Sequence, residues 1–197
     1  MIQSPIKHLP NRLTLSRVII SPVFMVLLLM DTSITRWSAL GLFIIAAITD
    51  LLDGYLARRF KQQTGFGRFM DPVADKLLIS MALISFVALK MAQPWVVLLI
   101  VGREFLIMGL RSLVAYRGEM MESSFLAKLK TFCQMFSILC ILLFICLGQS
   151  LAPWDIARIR FSLDFLMLLA MALTLLSGLD YVIKNRWLIA GLFRGNL

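Results

Sequence analysis

Hydrophobic side chains gather into six long runs along the 197-residue chain, at about 13–30, 37–55, 77–91, 95–116, 125–147 and 161–183. A helix needs about 20 residues to cross a hydrocarbon layer about 30 Å thick. Each run therefore predicts one membrane-spanning helix, and with short loops the chain has room for at most about six or seven crossings. A hydrophilic stretch, 57–76, separates the second run from the third, and the fourth and fifth runs carry charges at their facing ends. The opening residues hold Pro5, Lys7, Pro10 and Arg12 but no apolar run followed by a small-residue cleavage site. They read as a retained segment on the membrane surface, with the makings of a short amphipathic helix. The expected architecture is all-α and polytopic: a surface segment over 1–12, six transmembrane helices over 13–183 and a basic cytoplasmic tail over 184–197.

Composition sharpens this picture. The chain is 60% hydrophobic and 16% charged, against about 45–50% and about 25% in soluble domains, which excludes a soluble globular protein. A net charge of +9 has no soluble basic domain to carry it, so anionic lipid or a phosphorylated substrate is the expected partner rather than nucleic acid. His8 is the only histidine, and Cys133, Cys140 and Cys146 share one apolar run. That pattern excludes a zinc or haem site and reads as small apolar residues in a helix.

Lys and Arg divide unevenly between alternate sides of the six runs. Fifteen fall on the side of the amino end (Lys7, Arg12, Arg17), the second connection (Arg58, Arg59, Lys61, Arg68, Lys76), the fourth (Arg111, Arg117, Lys128, Lys130) and the tail (Lys184, Arg186, Arg194). Four, Arg36, Lys90, Arg158 and Arg160, fall on the other, and Arg103 lies inside a run. Positive residues stay inside, so both termini are expected in the cytoplasm.

Four of the eight aspartates, Asp50, Asp53, Asp71 and Asp75, lie within 26 residues at the cytoplasmic ends of the second and third runs. Spacings of three and four put each pair on one helix face. Close carboxylates repel unless cations neutralise them, and all-oxygen ligands favour Mg²⁺, Mn²⁺ or Ca²⁺. Taken singly, the parts have plainer readings. Asp71-Pro72 also reads as a helix start, Asp as cap and Pro at the first position. Gly54 and Ala57 also suit close helix packing. Four ionisable groups together near a membrane are costly without a function.

The full arrangement is Asp50, two residues, Asp53-Gly54, two residues, Ala57-Arg58, eight residues, Gly67, three residues, Asp71, three residues, Asp75. At average residue usage, such a match arises by chance on the order of 10⁻⁸ of the time. It resembles, position for position, the signature of the CDP-alcohol phosphatidyltransferases, polytopic enzymes with six spans. The resemblance implies that Asp50, Asp53 and Asp71 hold two Mg²⁺ or Mn²⁺ ions, and that Asp75 serves both as ligand and as general base. It also implies that Gly54, Ala57, Arg58 and Gly67, with Thr14 and Arg17, bind CDP-diacylglycerol, and that the protein is a homodimer of the bacterial cytoplasmic membrane; the charge count puts its active site on the cytoplasmic face.

Flanking segments resemble the phosphatidylglycerophosphate synthases of bacteria within that family. They include 10–17, 64–67, Asp71-Pro72-Val73-Ala74-Asp75-Lys76, Arg103-Glu104-Phe105 with Arg111, Lys128-Leu129-Lys130-Thr131 with Gln134, and Ser177-Gly178-Leu179-Asp180-Tyr181. Ala127 departs from the pattern, where a Gly before the Lys is expected. The implied acceptor is sn-glycerol 3-phosphate, held by Arg103, Arg111, Lys128 and Lys130. Arg103 sits deep in its run, where a phosphate site, snorkelling or pairing with Glu104 each accounts for it. Lys128 and Lys130 are about 200° apart on a regular helix, so the clamp falls chiefly to the two arginines with the lysines at its rim. Rival readings keep the chemistry and change the acceptor to an inositol phosphate, serine or another phospholipid, or change the class to a prenyltransferase or a cation channel or transporter.

Overall fold

Residues 9–30, 32–60, 65–116, 125–148 and 152–187 are described by a computed structural model. Every long element among them is a helix: α1 (Leu9–Leu29), α2 (Ser33–Phe60), α3 (Gly65–Ala88), α4 (Pro94–Tyr116), α5 (Phe125–Leu147) and α6 (Pro153–Lys184). The all-α expectation and the number of helices hold. Two of the six, Phe125–Leu147 and Asp155–Lys184, are long and apolar enough to cross a membrane by length and composition.

The helix ends depart from the apolar runs where polar residues are good helix formers. α2 continues to Phe60 and α3 already starts at Gly65, so most of the 57–76 stretch read as a connection is helical. Leu, Ala, Arg and Met keep a helix going whether or not lipid surrounds it. The reading of Asp71-Pro72 as a helix start is corrected: both residues lie within α3. α1 begins at Leu9, ahead of the run that starts at 13, and takes in Pro10 in its first turn, where no intrahelical N–H is needed. Residues 1–8 of the expected surface segment and 188–197 of the expected tail lie outside the described residues.

Local chemistry sets the boundaries. The Thr35 amide donates to Thr32 Oγ1 at 3.3 Å and the Thr32 amide donates to Thr35 Oγ1 at 3.1 Å, a reciprocal cap that starts α2. α3 ends in a turn where Lys90 takes φ 58 and its carbonyl accepts from Arg160 of α6. α6 starts on a Pro with Asp155 in its first turn, where the helix dipole favours an acid.

The chain forms two compact units, Met1–Leu89 with Leu142–Gln149, and Lys90–Ile141 with Ser150–Leu197. In the first, α1 packs on α2 and α3. Arg17, Ser21, Phe24 and Leu28 form the buried row of α1, Ala39, Phe43 and Ala46 that of α2, and Ala74, Leu78, Ala82 and Phe86 that of α3. The alanines let the helices approach closely, and the Phe24 and Phe43 rings meet with centroids 5.7 Å apart.

In the second unit α4 packs on α6. Val96, Ile100, Glu104 and Ile107 line the inward row of α4, and Leu163, Met167, Ala170, Thr174, Ser177 and Tyr181 that of α6. Both rows recur every three or four residues, as one helix face requires. Leu98, Leu106, Phe132, Phe161, Phe165 and Leu179 are exposed instead. Polar groups inside and large apolar groups outside make a surface suited to lipid rather than water.

Candidate active site

Each unit carries a polar patch along its buried rows. In the first unit the row of α2, Phe43 and Ala46, continues in register through Asp50, Asp53, Gly54 and Ala57. On α3, Gly67, Asp71 and Asp75 fall four residues apart, and their row runs on into buried Leu78 and Ile79. The backbone thus sets all four aspartates in line with the packed faces of their helices. Their side chains, and those of Thr14, Gly54, Ala57, Arg58 and Gly67, lie outside the described residues.

Arg17, 3% exposed, belongs to the same level. The rings of Phe24 and Phe43 are in contact. α1 and α2 are joined by a short connection and run antiparallel, so seven residues back along α1 is Arg17 and seven onward along α2 is Asp50. One turn on from Arg17, the Ser21 hydroxyl donates to the Arg17 carbonyl at 2.7 Å. That bond braces α1 just before Pro22, which cannot donate to the preceding turn.

In the second unit the patch is an ion cluster. Glu104 is 5% exposed and accepts from the Lys130 ammonium, itself 4% exposed, and from Arg103 Nη1 at 3.3 Å. Arg103 Nη2 donates to Ser177 Oγ at 3.0 Å, and the Ser177 hydroxyl donates to the Thr174 carbonyl at 3.0 Å. Arg103 lies across Gly178, where an added Cβ would meet its Nε at 3.0 Å. Arg111 is exposed, with its guanidinium carbon 5.6 Å from the ring centroid of buried Tyr181.

Of the four cations expected to clamp the acceptor, the structure joins Arg103 and Lys130 through one carboxylate. Lys130 is central rather than at a rim, because Lys130 and Gln134 share the inward row of α5. Lys128 is exposed on the opposite side of α5, which already starts at Phe125. The pairing of Arg103 with Glu104, one of the readings of that residue, is present. Sequence reasoning assigned no role to Ser177, Gly178 or Tyr181. The signal for them was there in the inward row of α6, which turns polar at Thr174, Ser177 and Tyr181 inside an otherwise apolar helix.

The profile of the CDP-alcohol phosphatidyltransferase family matches residues 7–176. The chain belongs to the CDP-alcohol phosphatidyltransferase family. It is 38% identical over 190 residues to the CDP-diacylglycerol--glycerol-3-phosphate 3-phosphatidyltransferase of Bacillus subtilis, covering 90% of this chain and 95% of that one. Over 175 residues it is 38% identical to the protein of the same name from Rickettsia typhi, covering 89% and 95%. The family match spans both units and the whole aspartate signature, and it stops one residue short of Ser177.

Proposed function

We propose that the chain transfers the phosphatidyl group of CDP-diacylglycerol to the primary hydroxyl of sn-glycerol 3-phosphate, giving phosphatidylglycerophosphate and CMP in phospholipid synthesis. The observation that carries this reading is the eight-position aspartate signature, running along one face of α2 and one face of α3. The names of relatives that match nine tenths of the chain support the choice of acceptor.

Asp50, Asp53, Asp71 and Asp75 form an all-oxygen donor set that fits a hard divalent cation such as Mg²⁺ or Mn²⁺. Two such ions, when bound, offset the charge of the phosphoanhydride oxygens. Gly54, Ala57 and Gly67 let the nucleotide approach the backbone, while Arg58, Thr14 and Arg17 serve the CDP-diacylglycerol phosphates. Asp75 takes the proton of the acceptor hydroxyl. The hydroxyl oxygen bonds to the phosphatidyl phosphorus, the bond from that phosphorus to the bridging oxygen breaks, and CMP leaves with the electron pair. Arg103 and Lys130, with Arg111 beside them and Lys128 farther out, hold the acceptor phosphate.

All six helices are read as spans, with both termini and the active site facing the cytoplasm of a bacterial cell. Charges do not bar α4 from the bilayer, because Arg103 and Glu104 are paired inside the protein. The excess of Lys and Arg on one side supports the orientation. The homodimer rests on the family resemblance, and crosslinking in native membranes that yields only monomer would remove it.

Purified protein in lipid–detergent micelles, given CDP-diacylglycerol, Mg²⁺ and sn-glycerol 3-phosphate, should release CMP in equal amount to a new lipid bearing two phosphates. CMP release without that lipid would overturn the reading.

A further inference from the structure

The ion cluster of the second unit contains one member that the proposed chemistry does not use. Glu104 lies between two cations from different helices, Arg103 of α4 and Lys130 of α5. A buried ammonium or guanidinium is costly unless paired, and two long cationic side chains left alone repel each other and sample many rotamers. One carboxylate accepting from both removes the repulsion and sets both orientations.

Further buried donors lie on Arg103 itself and one turn along the rows of Lys130 and Ser177. Arg103 engages both terminal nitrogens, but its Nε is buried without a hydrogen-bond partner among the described residues, as are Gln134 Nε2 and Thr174 Oγ1. Gln134 stands one turn beyond Lys130 on the same row of α5, and Thr174 stands one turn before Ser177 on α6. Buried donors are almost always satisfied. Donors arrayed beside two cations suit a group rich in acceptors and negative charge, such as a phosphate.

Gly178 sets how closely Arg103 lies against α6. A Cβ there would stand 3.0 Å from Arg103 Nε and 3.2 Å from its Cγ, tighter than side chains ordinarily accept. A side chain there would press on Arg103 and displace it from the position its bonds to Glu104 and Ser177 set.

We propose that Glu104 and Gly178 are positioning residues for the acceptor phosphate, Glu104 by fixing Arg103 and Lys130 as one receptor and Gly178 by leaving Arg103 room to lie against α6 where Glu104 and Ser177 hold it. This rests on sn-glycerol 3-phosphate being the acceptor. A count of charges gives the opposite sign for Glu104: removing a carboxylate raises the local positive potential and should strengthen phosphate binding. Loss of positioning should weaken it.

The test is two-substrate kinetics on full-length Glu104→Gln and Gly178→Ala, each checked for folding by its size-exclusion profile. Both should raise the KM for sn-glycerol 3-phosphate by ~10-fold or more, with the KM for CDP-diacylglycerol and kcat within ~3-fold of wild type. A merely structural role would move both KM values together. Gly178→Ala leaves every charge in place and carries the test alone should Glu104→Gln not fold. An acceptor KM unchanged or lowered in a folded variant, or equal rises in both KM values, overturns the inference while leaving the proposed function intact. Wild-type protein that does not respond to sn-glycerol 3-phosphate overturns both.

Discussion

Arg103 Nη2 donates to Ser177 Oγ at 3.0 Å, joining the middle of α4 to the last turns of α6 across 74 positions of sequence. The bond fixes the plane of the guanidinium, and an ammonium cannot reproduce it together with the contact to Glu104. A planar fork is what a phosphate site gains from arginine over lysine.

Arg103→Lys should therefore raise the KM for sn-glycerol 3-phosphate by ~10-fold and Arg103→Ala by more, with the KM for CDP-diacylglycerol within ~2-fold of wild type. Arg58→Ala should show the reverse pattern. Initial rates with each substrate varied in turn measure both. Equal effects on the two substrates in Arg103 variants would remove Arg103 from the acceptor site.

Asp53→Ala should abolish Mg²⁺ binding in isothermal titration and lower turnover by at least ~10², as should chelator added to wild-type protein. Its spacing of three from Asp50 places both on one face of α2. Binding and turnover like those of wild type would sink the metal assignment.

Asp75→Asn should keep nucleotide binding and lose at least ~10² in turnover, because an amide cannot take the acceptor proton. Titration with CMP checks the first half and single-turnover CMP release the second. Near-normal release would contradict the role as base.

Local spacing made the aspartate patch legible and left the ion cluster hidden. The aspartates lie within a turn of one another in pairs, so their shared faces follow from residue numbers alone. Glu104 and Lys130 are 26 positions apart and Arg103 and Ser177 are 74 apart. No periodicity within one helix announces that such residues meet. The angle between Lys128 and Lys130 was readable, but which of them faces inward depended on where α4 lies against α5. The fold was legible on similar terms. Hydropathy located α5 to the residue, because its polarity changes where the helix ends. It misjudged α2, α3 and α6, where Arg58, Arg68 and the Asp155 to Arg160 segment are polar yet helical. Hydropathy reports what surrounds a helix, and helix propensity reports where it stops.

Orientation is open to a direct check. With Cys133, Cys140 and Cys146 replaced, Gln62→Cys or Gln63→Cys should react with an impermeant maleimide only from the cytoplasmic side. Labelling from outside intact cells would refute the topology and with it the placement of the active site.

The central claim is that the second unit selects a phosphorylated acceptor, and its most direct test is CMP release from CDP-diacylglycerol with a panel of acceptors at equal concentration. Glycerol, serine and inositol phosphate should each react at least ~10² more slowly than sn-glycerol 3-phosphate. The first two bring no phosphate for Arg103 and Lys130 to bind, and the third presents its phosphate on a bulkier frame. Serine or inositol phosphate reacting as fast as sn-glycerol 3-phosphate would contradict the account.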